Sequence, residues 1–437
     1  MLKERVPAFI FFILNRLRAF NHQAYIVGGA VRDALLDRPL WDWDVTTSAS
    51  PDCVAEIFRD LRQVHFKGGT TVLVSGGHHH EVTSFRGAGG SIEGDLAGRD
   101  FTIDAMAYDD LRDVILDPFH GRGDLLQRKV KAVGQARVRF EEDPLRILRA
   151  VRLAAELLFS IDPATAAVIS KMTPRLEKVA PERIREELVR ILVTPKPSTG
   201  LRLMARFGIL EAIMPELFEC RAVKQTAGGR RQSVLDHLLE TLDLVEATPH
   251  LRLAALFHDV AKSRVKEKVS GRWQYPGHAE ASAVMVEEIM GRLRFSRKMI
   301  ARTCMLTRYH HLDHPLEEDH DIIDWIQRQG RDRVHDLIAL RRADLLACGL
   351  HTKIDALSRI QAKVAALIRA RMVLTPADLA VDGQTVMKTL GLFPGPQVGR
   401  ILRKLLAYAS AHPSRNNEEA LTALLLEIKG RGGAEVQ

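Results

Sequence analysis

Cysteine is scarce in this 437-residue chain: Cys53, Cys220, Cys304 and Cys348 are all it has, and they stand far apart. No two have the spacing of a zinc finger, and scattered thiols fit a reducing, cytoplasmic setting better than a disulfide scaffold. Long apolar runs are also missing. Ala8-Phe-Ile-Phe-Phe-Ile-Leu is too short to span a bilayer, is followed by Asn15, Arg16 and Arg18, and leads into no small-residue cleavage pattern. It reads as an amphipathic helix laid on a sheet, and no membrane partner is expected. Aromatic residues make up only 6% and do not interleave with basic ones. Acid is in deficit, 55 Asp and Glu against 63 Lys and Arg, for a formal charge of +8. That balance mildly favours a polyanionic partner. The length exceeds one ordinary core and implies roughly two to four domains. Nothing in it sets an oligomeric state.

What is present concentrates between Ala24 and Asp44. Ala24-Tyr-Ile-Val runs into Gly28-Gly29, a helical pattern follows, and Trp41-Asp-Trp-Asp-Val opens a second strand. On a strand Asp42 and Asp44 would point to one face. Two carboxylates held together repel unless a cation lies between them, and Mg²⁺ prefers such oxygen ligands. Gly28 and Gly29 would let the backbone approach a phosphate, with amides of the next helix aimed at it. The pattern predicts a helix over 6–21, strands over 24–28 and 42–46, and a helix over 30–36. A Ser50-capped helix follows to about 62, then strands over 71–75 and 80–85. Glu81, on the last strand, is a candidate third carboxylate. The glycine-rich stretch from Arg86 to Gly98 reads as a flexible loop.

These motifs resemble the signature of the class II tRNA nucleotidyltransferases and bacterial poly(A) polymerases, within the polymerase-beta-like superfamily. The resemblance is strong over about the first 215 residues. It implies an α+β fold: a nucleotidyltransferase head of mixed sheet and helices over 1–135, then an all-α remainder. It also implies Mg²⁺ on Asp42 and Asp44, with Glu81 beside them, and nucleotide contacts from Gly28, Gly29 and Arg32. Arg99 would meet phosphate or sugar, with Asp100 holding the sugar or orienting Arg99. Asp104 stands where the family often has Asn, and no role is assigned to it.

The second match lies in a helical neck and body over 136–228. The family's Glu-Asp-x-x-Arg falls on Glu142, Asp143 and Arg146, and Arg149 and Arg152 continue a basic ridge. Without the upstream motifs this would read as a basic helix with an acidic cap. With them, Asp143 and Arg146 are expected to read the base edge. A carboxylate accepts from an exocyclic amine while a guanidinium donates to its neighbour, which admits cytosine and adenine and rejects uracil and guanine. Arg149 and Arg152 would reach triphosphate or sugar. Arg183 and Glu186 are expected to tie helices together.

From 229 to 351 the chain resembles metal-dependent HD phosphohydrolases. The matching ligands are His237, His258, Asp259 and Asp344, with His258 and Asp259 expected on one helix. Mixed imidazole and carboxylate ligation suits Mn²⁺, Ni²⁺, Co²⁺ or Fe²⁺. Lys262 would aid a phosphate. His278 with His310 or His311 would complete a second shell, in a locally histidine-rich stretch that includes Asp313 and His314. Residues 352–437 read as a helical RNA-binding region: a helix over 353–372 with basic members up to Arg371, then Pro394-Gly-Pro before a basic helix with Arg400, Arg403 and Lys404, and a loose tail from 430. RNA would be held by shape and backbone.

The resemblance implies addition of CCA to a tRNA 3′ end from CTP and ATP, without a DNA partner. Poly(A) synthesis, or addition of CC or A alone, uses the same residues and stays open. An HD phosphohydrolase with a vestigial head and a non-catalytic RNA-binding protein stand as alternatives of other classes.

Overall fold

The computed structural model describes residues 2–40, 42–66, 68–86, 90–270, 272–312, 316, 318–369 and 373–431. The chain forms two compact units, Met1–Phe218 with Arg292–Phe295, and Glu219–Gly291 with Ser296–Gln437. Among the described residues no helix is long and apolar enough to cross a membrane.

The first unit begins with a seven-stranded sheet. Its strands are β1 (Ala24–Val27), β2 (Asp44–Thr47), β3 (Arg62–Phe66), β4 (Thr70–Ser75), β5 (His78–Ser84), β6 (Ala107–Asp109) and β7 (Val114–Leu116). Their order is β3-β4-β5-β2-β1-β6-β7. Only the β2–β5 pairing is parallel, with Val45 opposite Val82. Helix α1 (Ala8–Ala19) buries Ile10, Ile13, Leu14 and Leu17, the one-sided stripe that its apolar run foreshadows. Helix α2 (Gly29–Leu35) follows the double glycine, and α3 (Pro51–Ile57) starts as expected, with Ser50 accepting from the Cys53 amide at 3.2 Å.

Several boundaries differ from the sequence reading. Helix α3 stops at Ile57, and Arg62–Phe66 forms edge strand β3, whose mostly exposed side chains give no clean alternation. The stretch read as a loop up to Gly98 contains α4 (Ile92–Ala97), where Ser91 caps the Gly94 amide and Ile92 and Leu96 are buried. Strand β2 begins at Asp44, so Asp42 precedes the strand instead of sharing its face. Gly87, Ala88 and Gly89 lie outside the described residues.

Leaving the sheet, α5 (Gly121–Leu126) leads to α6 (Ala136–Glu142), α7 (Arg146–Leu157), α8 (Pro163–Met172) and α9 (Pro181–Leu192). Asp143 is extended at the break between α6 and α7. Helix α7 buries Ile147, Leu148, Val151 and Leu153 and packs on α9, which buries Ile184, Leu188 and Ile191.

The second unit is helical apart from two short hairpins, Lys224–Ala227 with Arg230–Ser233 and Glu267–Val269 with Arg272–Gln274. Its C-terminal helices Gly383–Leu390, Pro396–Ala411 and Glu418–Arg431 share a core of Val386, Val398, Leu405, Leu406, Leu421 and Leu425. Arg400, Arg403 and Lys404 are exposed there. The long helix before them is His351–Arg369; Arg371, Met372 and residues 432–437 lie outside the described residues.

Candidate functional site

In the head, strand register sets the chemistry. Because β2 and β5 run parallel with Val45 beside Val82, Glu81 is carried next to Asp44. Both line a cavity of about 420 Å³ together with Arg99, Asp100, Asp143, Arg146 and Arg149. Burial, then the charge of Glu81, pushes the Asp44 carboxyl up to about 6; Arg99 opposes this, while Asp42 and Asp104 add to it. Carboxylates brought together against their own repulsion are a donor set suited to a divalent cation. Asp42 is exposed just ahead of the strand.

Gly28 is built into this wall. Its φ is +74°, and a Cβ there would lie 2.9 Å from Arg99 Nη1 and 3.5 Å from Asp44 Oδ2. Gly28→Ala is therefore expected to push Arg99 out of place. It should cost about 1–2 kcal/mol of stability through its backbone angle and lower kcat/KM for nucleotide at least about tenfold, checked by thermal melts and steady-state kinetics.

Arg99 is anchored by Asp95, at 3.3 Å. Asp95 is buried and also accepts from Thr46 Oγ1 and the Arg86 amide. Asp100 receives Arg146 Nε at 2.5 Å and Arg149 Nη1 at 2.7 Å. Arg146 also meets Glu142 at 2.6 Å, whereas Asp143 is met by Arg183 Nη2 at 2.7 Å. Asp143 and Arg146 thus share a cavity without pairing with each other. Arg183, expected to tie helices, ties α9 to Asp143 at the break between α6 and α7.

Two expected nucleotide ligands lie elsewhere. Arg32 is buried between Asp33, at 2.9 Å, and Asp104, at 2.6 Å. Arg152 joins α7 to α9 through Glu187 at 2.7 Å and also pairs with Glu156. Neither is among the cavity's lining residues: Asp33 and Asp104, both partly buried, hold the Arg32 guanidinium, and buried Glu187 holds that of Arg152. Gly29 opens α2, where the nearest atom to an added Cβ is Arg32 Nη2, at 3.4 Å. Asp95 and Asp104 were missed by sequence reasoning. Asp95 had one usable signal, an acid four before Arg99 on what proves to be a helix.

The second unit gathers a different cluster. His237 lies on the helix Val234–Leu244, and Asp344 on Arg331–Ala347. The helix Pro249–Phe257 ends before His258 and Asp259, so this pair sits at a helix terminus, not within a helix. His237, His258 and Asp344 form one group of converging ligand atoms, and Asp259, His278, His310 and His311 a second. Asp259 joins them: Oδ2 is 3.5 Å from both His237 and His258, and Oδ1 is 3.2 Å from His278 and 3.7 Å from His310. Lys262 reaches Asp259 at 2.5 Å, and Arg341 reaches Asp344 at 2.5 Å. Asp313 and His314 fall outside the described residues.

Three imidazoles are oriented alike. Nδ1 of His258, His278 and His310 lies 2.9, 2.7 and 2.7 Å from the carbonyls of Ala255, Tyr275 and Thr307. Donation there leaves each Nε2 lone pair facing inward, as metal-ligating histidines are held. Burial pushes His258 and His311 down to about 4 and His310 to about 3, so they are neutral. Burial also presses on His237, but hydrogen bonds to Asp344 and Cys348 and the charges of Asp259 and Asp344 lift it to about 10. His310 Nε2 and Asp259 Oδ1 are buried without a hydrogen bond. Orphaned donors of this kind fit bound cations.

Acidic strands beside an arginine-lined cavity, with a separate HD cluster, define a nucleotidyltransferase joined to an HD domain. Family models agree: the poly A polymerase head domain matches residues 24–131, the probable RNA- and SrmB-binding site of polymerase A matches 158–220, and the HD domain matches 234–348. Domain by domain, the chain is similar to the class II tRNA nucleotidyltransferases and bacterial poly(A) polymerases. A CCA-adding enzyme of Streptococcus pyogenes is 29% identical over 415 residues, covering 90% of each chain. The crystal structure of the Bacillus stearothermophilus CCA-adding enzyme in complex with CTP is 26% identical, covers 98% of both chains and has a TM-score of 0.67. The Thermotoga maritima CCA-adding enzyme complexed with tRNA, at 22% identity and a TM-score of 0.55, shares the fold.

Proposed function

We propose that the chain adds C and A to the 3′ end of tRNA from CTP and ATP, with no nucleic-acid template. The observation that carries this is the meeting of Asp44 and Glu81 with Arg99, Asp143, Arg146 and Arg149 in one cavity. The likeness to CCA-adding enzymes, one of them holding CTP, supports it. Asp42 and Asp44, with Glu81 beside them, would hold Mg²⁺, which when bound activates the RNA 3′-hydroxyl and steadies the pyrophosphate. Arg99, fixed by Asp95, meets the phosphates. Asp100 holds Arg146 and Arg149 toward the nucleotide. Asp143, steadied by Arg183, accepts from the exocyclic amine of cytosine or adenine. The head is assigned to 1–135, the neck and body to 136–228, the HD domain to 229–351 and an RNA-binding region to 352–437. A cytoplasmic location follows from the tRNA substrate.

The test is incorporation of each labelled NTP into tRNAs lacking CCA, ending in its first C, or ending in CC. Addition that stops at a complete CCA supports the proposal, and unlimited A addition to varied RNAs selects poly(A) synthesis instead. In the same assay, Asp143→Ala should lower the preference for CTP over UTP by about 10- to 100-fold. Its effect on triphosphate affinity should be smaller, and four-base indifference in the parent would defeat this reading.

The HD cluster supports a second activity, hydrolysis of a phosphoester such as a ribose 2′,3′-cyclic phosphate, a 2′-nucleotide or a 3′-phosphate. Mn²⁺, Fe²⁺, Co²⁺ or Ni²⁺ on His237, His258, Asp259 and Asp344 would supply an activated water. In such a hydrolysis the oxygen of water would bond to phosphorus as one P–O ester bond breaks, and the proton released by that water would go to the departing ribose oxygen. His278, His310 and His311 would complete a second cation shell around Asp259.

A further inference from the structure

The two hairpins of the second unit enclose a cavity of about 700 Å³, larger than the nucleotide cavity of the head. Its lining includes Lys224, Gln225, Arg231, Lys266, Trp273 and Tyr275. We propose that it is the subsite that seats the terminal base and flanking phosphates of a single-stranded RNA 3′ end whose terminal phosphoester lies at the HD cluster. The proposal rests on the phosphohydrolase reading above and names its substrate class.

Connection to the cluster is direct. Lys262 bridges the cluster and the cavity wall, 2.5 Å from Asp259 Oδ2 and 2.9 Å from Gln225 Oε1. Tyr275 does the same beside it, its ring centroid 5.4 Å from Lys262 Nζ. Its carbonyl lies 2.7 Å from His278 Nδ1, and its hydroxyl donates to the Lys224 carbonyl at 2.9 Å. A phosphoester placed between the ligand groups therefore has its remaining chain directed past Lys262 and Tyr275 into the cavity.

The lining matches a nucleotide chain and not a simple phosphate. Trp273 is 55% exposed, whereas Trp43 and Trp325 are each 6% exposed. A large apolar ring left in water on a two-stranded hairpin offers a stacking platform, and stacking tolerates any base because every base has a π-face. Lys224, Arg231 and Lys266 make no ion pair with a carboxylate among the described residues. Three uncompensated cations exceed what one scissile phosphate needs and suit a backbone that brings further phosphates. The volume lies within the range of sites that enclose small ligands, about 300–1,000 Å³.

The experiment uses the full chain loaded with Mn²⁺. Its substrates are a trinucleotide ending in a 2′,3′-cyclic phosphate and bis(4-nitrophenyl) phosphate, which has no base. Trp273→Ala should raise KM for the trinucleotide at least about tenfold relative to that for bis(4-nitrophenyl) phosphate. A paired Arg231→Ala, Lys266→Ala variant should flatten the salt dependence of trinucleotide KM. Binding is read independently by quenching of tryptophan fluorescence with a trinucleotide ending in a 3′-hydroxyl, which Trp273→Phe should largely remove. Trinucleotide hydrolysis with KM and quenching untouched by these variants overturns the subsite. If neither substrate is hydrolysed but quenching depends on Trp273, the subsite stands and the hydrolase reading falls.

Discussion

Asp44→Asn will lower nucleotide addition at least about a thousandfold and raise the melting temperature of the metal-free protein. Both effects come from one carboxylate. Burial and the charge of Glu81 lift Asp44 to about 6, against an ordinary value of 3.8. The folded protein therefore binds this proton more tightly than the unfolded chain does. Stability falls as pH rises from about 4 to about 6, and the deficit persists at neutral pH, on the order of 3 kcal/mol. Asparagine has no proton to lose and gains no charge, so the variant escapes that penalty. Melting curves between pH 4 and 8 should show the parent losing ground to Asp44→Asn across that window. Adding Mg²⁺ at pH 7.5 should recover the deficit in the parent and do much less for the variant. Normal nucleotide addition by Asp44→Asn would remove the assignment of this cavity as the polymerising centre. Equal melting at every pH would instead remove the electrostatic account of why the carboxylates need a cation.

The parts of this site that were legible from residues alone are those where local spacing is also spatial spacing. Gly28 directly follows β1, and both its backbone angle and the lack of room for a Cβ beside Arg99 act over a few ångströms. Glu81 was reachable because its strand could be seen and strands lie beside one another. Asp42 shows the limit. Alternation predicted a shared face with Asp44, but the strand starts two residues too late for that argument, and Asp42 adds its charge to the field at Asp44. Arg32 and Arg152 failed for a different reason. A guanidinium in a motif is indistinguishable from one held by an acid distant in sequence, and Asp104 and Glu187, which hold these two, lie 72 and 35 residues away. Edge strand β3 and helix α4 were lost because an exposed edge carries no apolar period and because glycine-rich sequence around Ser91 hid a capped turn. In the second unit the motif pointed to four candidate residues, His237, His258, Asp259 and Asp344. The orientation of His258, His278 and His310 by backbone carbonyls is a tertiary fact that no spacing announces.

Asp259 should be the residue whose loss disables the second unit most completely. It is 2% exposed, and its two oxygens divide between the ligand groups, Oδ2 toward His237 and His258 and Oδ1 toward His278 and His310. Any cation in either group would share this carboxylate, as in sites where one carboxylate bridges two metals about 3.5–4 Å apart. Asp259→Ala should therefore lower phosphoester hydrolysis at least about a thousandfold and remove all tightly held Mn²⁺. His310→Ala touches only the second group and should leave the first cation in place. Titration calorimetry with Mn²⁺ separates the two cases by stoichiometry. Removing Asp259 also strands Lys262, which it holds at 2.5 Å, so Asp259→Asn serves as the shape-preserving control. Nucleotide addition is the internal reference, because Asp44, Glu81 and Arg99 belong to the other compact unit. It should survive Asp259→Ala with little change. Hydrolysis that persists in Asp259→Ala would show that the converging histidines are a structural remnant, whereas loss of both activities with a native melting curve would show that the two centres are energetically coupled.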